Sequence, residues 1–207
     1  MSASPASPAR PGGVRRGRVL AGLLAAVLLA LVGCSTGDDA VATNNEFTFV
    51  APGGQTTIRY AVADRQASPD LTGESLLEAG KQIKVSDFAN QVVVINVWGT
   101  WCPPCRAEAS ELEQVYTNTK DSGVAFLGID LKDTRSAAED FVRNNNLTYP
   151  SIFDPSGRSL LALNGYPRNA VPSTIVLDRQ HRVAAVFLTG LLASDLEPVV
   201  KEIAAES

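Results

Sequence analysis

"VVVINVWGTWCPPCRAE", residues 92–108, runs a block of β-branched residues straight into two cysteines spaced three apart. The apolar run from Val92 to Trp98 suits a strand buried on both faces, as in the middle of an α/β sheet. Helical spacing follows from Pro103 to about Thr119, with Leu112, Val115 and Tyr116 forming an apolar stripe. Cys102 and Cys105 therefore fall in a strand-to-helix turn. A cysteine at a helix N-terminus faces unpaired backbone N–H groups and the positive end of the helix dipole, and both favour thiolate over thiol. Pro103 is acceptable in the first turn because its missing N–H would be unpaired anyway. Cys105 lies one turn deeper, close enough to close a small disulfide. The pair reads as an exposed nucleophile, Cys102, with a shielded resolving thiol, Cys105.

Working outward, "GVAFLGID" (123–130) is a second buried strand, "SAAEDFVRNNN" (136–146) a helix and "SLLALNG" (159–165) a shorter one. "STIVLD" and "VAAVFLTG" form an antiparallel pair across the polar turn "RQHR", and "SDLEPVVKEIAAE" closes the chain as a helix capped by Ser194 or Asp195. Upstream, "EFTFV" and "TTIRYAV" flank "APGGQ" and read as a small hairpin. Residues 63–80 read as irregular, and "KQIKVSDF" as a short strand entering a turn. The order is α/β, with the cysteine pair in the first strand-to-helix turn of the core.

The beginning of the chain reads as a leader. Arg10, Arg15, Arg16 and Arg18 precede an apolar run from Val19 to Val32, then Gly33 and Cys34. The run is too short to span a bilayer comfortably, which takes about 20 apolar residues, and has the flanks of a secretory signal. "LVGC" resembles the bacterial lipobox, which makes Cys34 the expected lipid attachment site and new N-terminus. Residues 1–33 are thus expected to be a lipoprotein signal peptide, 34–70 a tether with the hairpin extension, and 71–207 the main domain. Removing the leader takes away four arginines and no acidic residue, so the net charge goes from −4 to −8. So acidic a chain is poorly suited to neutralising nucleic-acid phosphates. Export, with the lipid holding the domain on the extracytoplasmic face of the cell membrane, places Cys102 and Cys105 where disulfides persist.

Other uses of the pair fit worse. Zinc takes about four ligands; with Cys34 lipidated, two cysteines and the lone His181 remain, and His181 reads as a solvated turn residue. No metal is expected. A static clip closing so short a loop would contribute little, because stabilisation grows with loop length.

"VVVINVWGTWCPPCRAE", "GVAFLGID", "VPSTIVLD" and "LTG" together resemble the TlpA/ResA-like thioredoxin family of extracytoplasmic thiol-disulfide oxidoreductases, from about Leu71 to the C-terminus. The resemblance implies a thioredoxin-like fold: a central mixed sheet flanked by helices. It implies a cis Val171–Pro172 bond that faces the cysteines and presents the Val171 backbone to substrate. Trp101 would belong to the apolar docking surface, while Trp98 could equally be core. Asn96 replaces the buried aspartate of cytosolic thioredoxins, as is usual in this branch. Glu108 matches an acidic residue placed near the pair, where a carboxylate would raise the thiol pKa and could shuttle its proton. Ala109-Ser110 departs from the proline that often follows that glutamate.

The expected activity is thiol-disulfide exchange with no cofactor beyond the Cys102–Cys105 disulfide. Within this branch the usual task is reduction of apocytochrome c cysteines, with electrons from a CcdA-type membrane thiol carrier. The alternative is a thiol oxidase acting on exported proteins. A Sco-like copper protein would need C-x-x-x-C and a distal histidine, and a peroxidase of the peroxiredoxin group a T-x-x-C cysteine; neither pattern is present.

Overall fold

A computed structural model describes residues 47–51 and 54–206 of the protein. The leader, Cys34 and the start of the tether lie outside the described residues. Eight strands form one mixed sheet: β1 (Thr57–Arg59), β2 (Thr72–Ser75), β3 (Gln82–Lys84), β4 (Val92–Trp98), β5 (Val124–Asp130), β6 (Ser151–Phe153), β7 (Ser173–Leu177) and β8 (Val183–Phe187), in spatial order β1-β8-β7-β4-β5-β6-β2-β3. Three helices, α1 (Pro103–Thr119), α2 (Arg135–Asn144) and α3 (Ala193–Ala204), accompany it.

β4 sits at the centre, parallel to β5 and antiparallel to β7. All seven of its residues are buried, as suits a run that is apolar except for Asn96. Strand pleating divides them between two cores. Val92 and Val94 meet Leu112 and Val115 of α1 and Leu196, Val200 and Ile203 of α3. Val93, Ile95 and Val97 face Leu71, Leu160, Leu163 and the N-terminal aromatics Phe47 and Phe49.

The expected N-terminal hairpin does not form as such. Its second strand, β1, pairs with β8 instead, Thr57 opposite Phe187. The first segment threads separately: Phe47 N donates to Ala67 O and Phe49 N to Asn164 O. An isolated two-stranded hairpin is marginal, whereas here Phe47 and Phe49 pack edge-on against Tyr60 and Tyr166 within the main core.

Residues expected to be irregular contain β2, and the sequence reading also passes over β6. Both are short, and β2 ("TGES") is polar. β6 is recruited by parallel pairing to β5, and β2 by antiparallel pairing to β6. Gly73 in β2 leaves room for Ile152, whose Cγ2 would lie 2.3 Å from any Cβ there. "SLLALNG" provides only a single 3-10 turn, Ser159–Ala162.

α3 starts one residue earlier than expected, with Leu192 at the cap position. Its first N–H, from Ala193, is taken at 2.9 Å by Glu111 of α1, and Asp195 accepts from Leu192 N at 3.3 Å. A carboxylate from another helix does the work that Ser194 or Asp195 was expected to do. His181 is not simply solvated: it is half-buried with positive φ, and its ring Nε2 lies 3.1 Å from Phe88 O.

Candidate active site

Cys102 and Cys105 are joined in a disulfide, with their Cα atoms 5.3 Å apart, so the structure is the oxidised form. Cys102 occupies the cap position of α1, with prolines at the next two positions. Those prolines remove two of the N–H groups that open a helix unpaired. Arg106 N is already committed to Cys102 O. The one helix-opening amide left for the sulfur is that of Cys105, which donates to Cys102 Sγ at 3.3 Å. This concentrates the dipole's positive end on the atom that must carry negative charge as a thiolate.

The expected difference in exposure between the two sulfurs is not found. Each cysteine is only 2% exposed, in a cluster with Leu76, Trp98, Ala138 and Val142. In the oxidised form Cys102 is turned inward onto Cys105, so both share the same cover. Trp98 is core, its ring 5.2 Å from that of Phe141. Trp101 remains 44% exposed beside Cys102. Its indole N–H is held by Leu131 O at 2.7 Å, and Lys132 Nζ lies 5.5 Å from its ring centroid. It thus offers an apolar face that is fixed in place.

Val171–Pro172 is cis, and Val171 packs against the cluster that holds both cysteines. Pro172 is buried directly before β7, the neighbour of β4. The structure brings the cysteines and Val171 together as expected.

Glu108 is buried, three residues after Cys105 on the inward face of α1. Strand parity turns Asn96 toward α1, and its Nδ2 donates to Glu108 Oε1 at 2.9 Å and to Thr174 Oγ1 at 3.2 Å. Leu191 N donates to Glu108 Oε2 at 3.0 Å. A Cβ on Gly190 would lie 3.6 Å from Glu108 Oε2 and 3.7 Å from Pro104 Cβ, so Gly190 approaches both the carboxyl and the second proline of the motif. Burial pushes Glu108 up to about 7, against the pull of the Asn96 and Leu191 bonds. A carboxyl balanced there can give or take a proton near neutral pH.

A second set of polar residues supports the turn and was not singled out from the sequence. Asp133 accepts from both the backbone N of Thr100, at 2.6 Å, and its hydroxyl. Arg106 donates to Thr100 O at 2.8 Å. Asp130, at the end of β5, lies in register with Trp98. The available signal was "GIDLKD": an acidic residue closing an otherwise apolar buried run, with a second acid three further on.

Residues 65–186, more than half of the chain, match the AhpC/TSA family. The chain belongs to that family. A secreted thiol-disulfide isomerase from Corynebacterium glutamicum is 45% identical with a TM-score of 0.76, covering 77% of this chain and 98% of that one. A DsbF homologue from Corynebacterium diphtheriae is 40% identical with a TM-score of 0.72, covering 76% and 99%. The thiol-disulfide oxidoreductase ResA of Geobacillus kaustophilus is 29% identical over 141 residues, 68% of this chain and 78% of its own length. This AhpC/TSA family member has a thioredoxin-like fold and is a thiol-disulfide oxidoreductase of the ResA-like type. None of the helices among its described residues is long and apolar enough to cross a membrane.

Proposed function

We propose that the protein is a membrane-tethered, extracytoplasmic reductase of protein disulfides, with apocytochrome c cysteines as its substrate class. The Cys102 thiolate attacks a substrate disulfide, displacing one substrate thiolate and forming a mixed disulfide. The Cys105 thiolate then attacks Cys102 Sγ, the second substrate thiolate leaves, and the Cys102–Cys105 disulfide forms. Two electrons pass to the substrate, and its thiolates take up two protons. Glu108 exchanges the proton of Cys105, while Trp101, Val171 and Pro172 line the docking surface. A CcdA-type membrane thiol carrier re-reduces the pair, and lipid on Cys34 keeps the domain at the membrane.

The observation that carries this reading is the buried carboxyl of Glu108, three residues after Cys105 on the same helix. In its charged form it opposes thiolate formation nearby, and a couple whose thiolate is less stabilised is more reducing. A second reading, oxidation or isomerisation of disulfides in exported proteins, is favoured by the higher identity to the Corynebacterium isomerase and DsbF homologue than to ResA.

The reduction potential of the Cys102–Cys105 couple separates the two. A value near the −270 mV typical of reductants of this fold, about 30 mV being a tenfold change in equilibrium, supports reduction; one near about −120 mV favours oxidation and overturns the proposal. Cys105→Ser should trap substrates on Cys102 as mixed disulfides. Absence of any trapped species would remove Cys102 as the attacking sulfur.

A further inference from the structure

Asp130 is 0% exposed, and neither oxygen of its carboxyl accepts a hydrogen bond from an N–H or hydroxyl group among the described residues. The indole N–H of Trp98, its register partner on β4, is likewise unpaired. The backbone is accounted for, since Asp154 N donates to Asp130 O at 3.0 Å. Only the side chain is left without a donor, and a buried charge in that condition is strongly disfavoured.

The charged groups facing it do not offer an ion pair. Arg135, opening α2, is spent on Ser75 O at 2.7 Å, Leu76 O at 2.6 Å and Glu74 at 2.9 Å, with its guanidinium over the Phe153 ring. Asp154, after β6, is occupied by the backbone N of Arg158 and Ser159 and by the Ser159 hydroxyl. Asp133, in the loop after β5, is the remaining neighbour. Burial first, then the hydrogen bond and charge of Asp133, push Asp130 up to about 8, with Asp154 adding to the rise and Arg135 opposing it. A contact between two carboxyl groups is a hydrogen bond only while one of them keeps its proton. Asp133 is also the group that holds Thr100, two residues before Cys102, by both N and hydroxyl.

We propose that Asp130 is a positioning residue for thiol-disulfide exchange: as a neutral acid it donates to Asp133, and the Asp133–Thr100 clamp sets how the turn presents Cys102. When Asp130 ionises, two carboxylates face each other in a dry site, and the clamp loosens. The inference rests on Cys102 being the attacking sulfur.

The test compares second-order rate constants for exchange with one peptide disulfide across pH 6 to 10, in the full chain and its variants. Taking the ratio of variant to parent cancels the titration of the cysteines and of Glu108, which all forms share. Asparagine at 130 keeps a donor toward Asp133 but cannot ionise. For Asp130→Asn the ratio should rise several-fold as the pH passes about 8, because only the parent loses its clamp. Asp130→Ala, which has no donor, should be slower at the low-pH end, and Asn should restore what Ala loses. A ratio for Asp130→Asn that stays constant across the range overturns the proposal, whatever Asp130→Ala does. Failure of the underlying reading shows elsewhere, as the absence of a trapped mixed disulfide in Cys105→Ser with Asp130 untouched.

Discussion

Asn96 on the central strand donates to the Glu108 carboxylate on α1 at 2.9 Å, so the helix that begins at the disulfide is tied back to the strand that leads into it. The second oxygen of Glu108 takes Leu191 N from the loop before α3. Two donors thus converge on the two oxygens of one carboxyl, an arrangement that favours its ionised form. Protonation near 7 adds a hydrogen that has to point away from both donors and weakens the oxygen that carries it as an acceptor.

Glu108→Gln imitates the protonated state in being neutral and in carrying a donor on one of its two terminal atoms. The folded protein keeps a proton that the unfolded chain releases near 4.5. Stability from this group therefore falls as the pH rises from about 4.5 to about 7, by roughly 3 kcal/mol at most. In Glu108→Gln that slope should vanish in urea titrations taken across the interval. Thiol titration by pH-dependent alkylation should also show a lower Cys105 pKa once the charge is gone. Coincident titrations in parent and variant would reduce Glu108 to a scaffold role.

Arg65 offers a different test. Its buried guanidinium lies 3.3 Å from Asp178 and is also paired with Glu206. Arg65→Ala strips a partner from the buried Asp178 and should cost about 3–5 kcal/mol, read by chemical unfolding. Burial alone would raise Asp178, but bonds from Arg182 and Arg65 outweigh it and hold it below the usual range. Its stabilisation is present above about pH 4 and is lost as the pH falls through the depressed value. The variant should therefore unfold at a higher pH on acidification.

Phe47 belongs to the core although it precedes the thioredoxin-like segment. Its ring meets those of Phe49 and Tyr60 at centroid distances of 6.4 and 5.8 Å. Phe47→Ala should lower the unfolding free energy by about 3–5 kcal/mol, with little change in the potential of the cysteine pair. A merely tethering segment would show no such loss.

Anchoring is testable at Cys34. Cys34→Ala should release the protein from the membrane fraction or block maturation of the leader. Retention at the membrane, still carrying the leader, would mean the Val19–Val32 run is itself the anchor.

The sequence shows its long elements plainly because their signals are local. Val92–Trp98 and Pro103–Thr119 appear with the bounds their apolar patterns suggest. What it hides depends on partners far along the chain. β2 is a strand because β6 lies beside it, and β1 joins β8 across more than a hundred residues. The site divides the same way. Cys102, Cys105, Glu108 and Pro172 stand in motifs that can be read directly. The clamp of Asp133 on Thr100 joins two loops 33 residues apart, and the local acids of "GIDLKD" do not say which residue they hold.

The two outermost strands of the sheet, β1 and β3, are three residues long. Each carries a cation, Arg59 in β1 and Lys84 in β3, and Arg59 is paired with Glu202 of α3 at 2.8 Å. Extended backbones readily add to an open sheet edge. Short, charged margins leave such a chain little ladder to climb onto. The rims of this sheet therefore offer a passing polypeptide little to pair with, and the cysteine turn has no rival there for extended backbone.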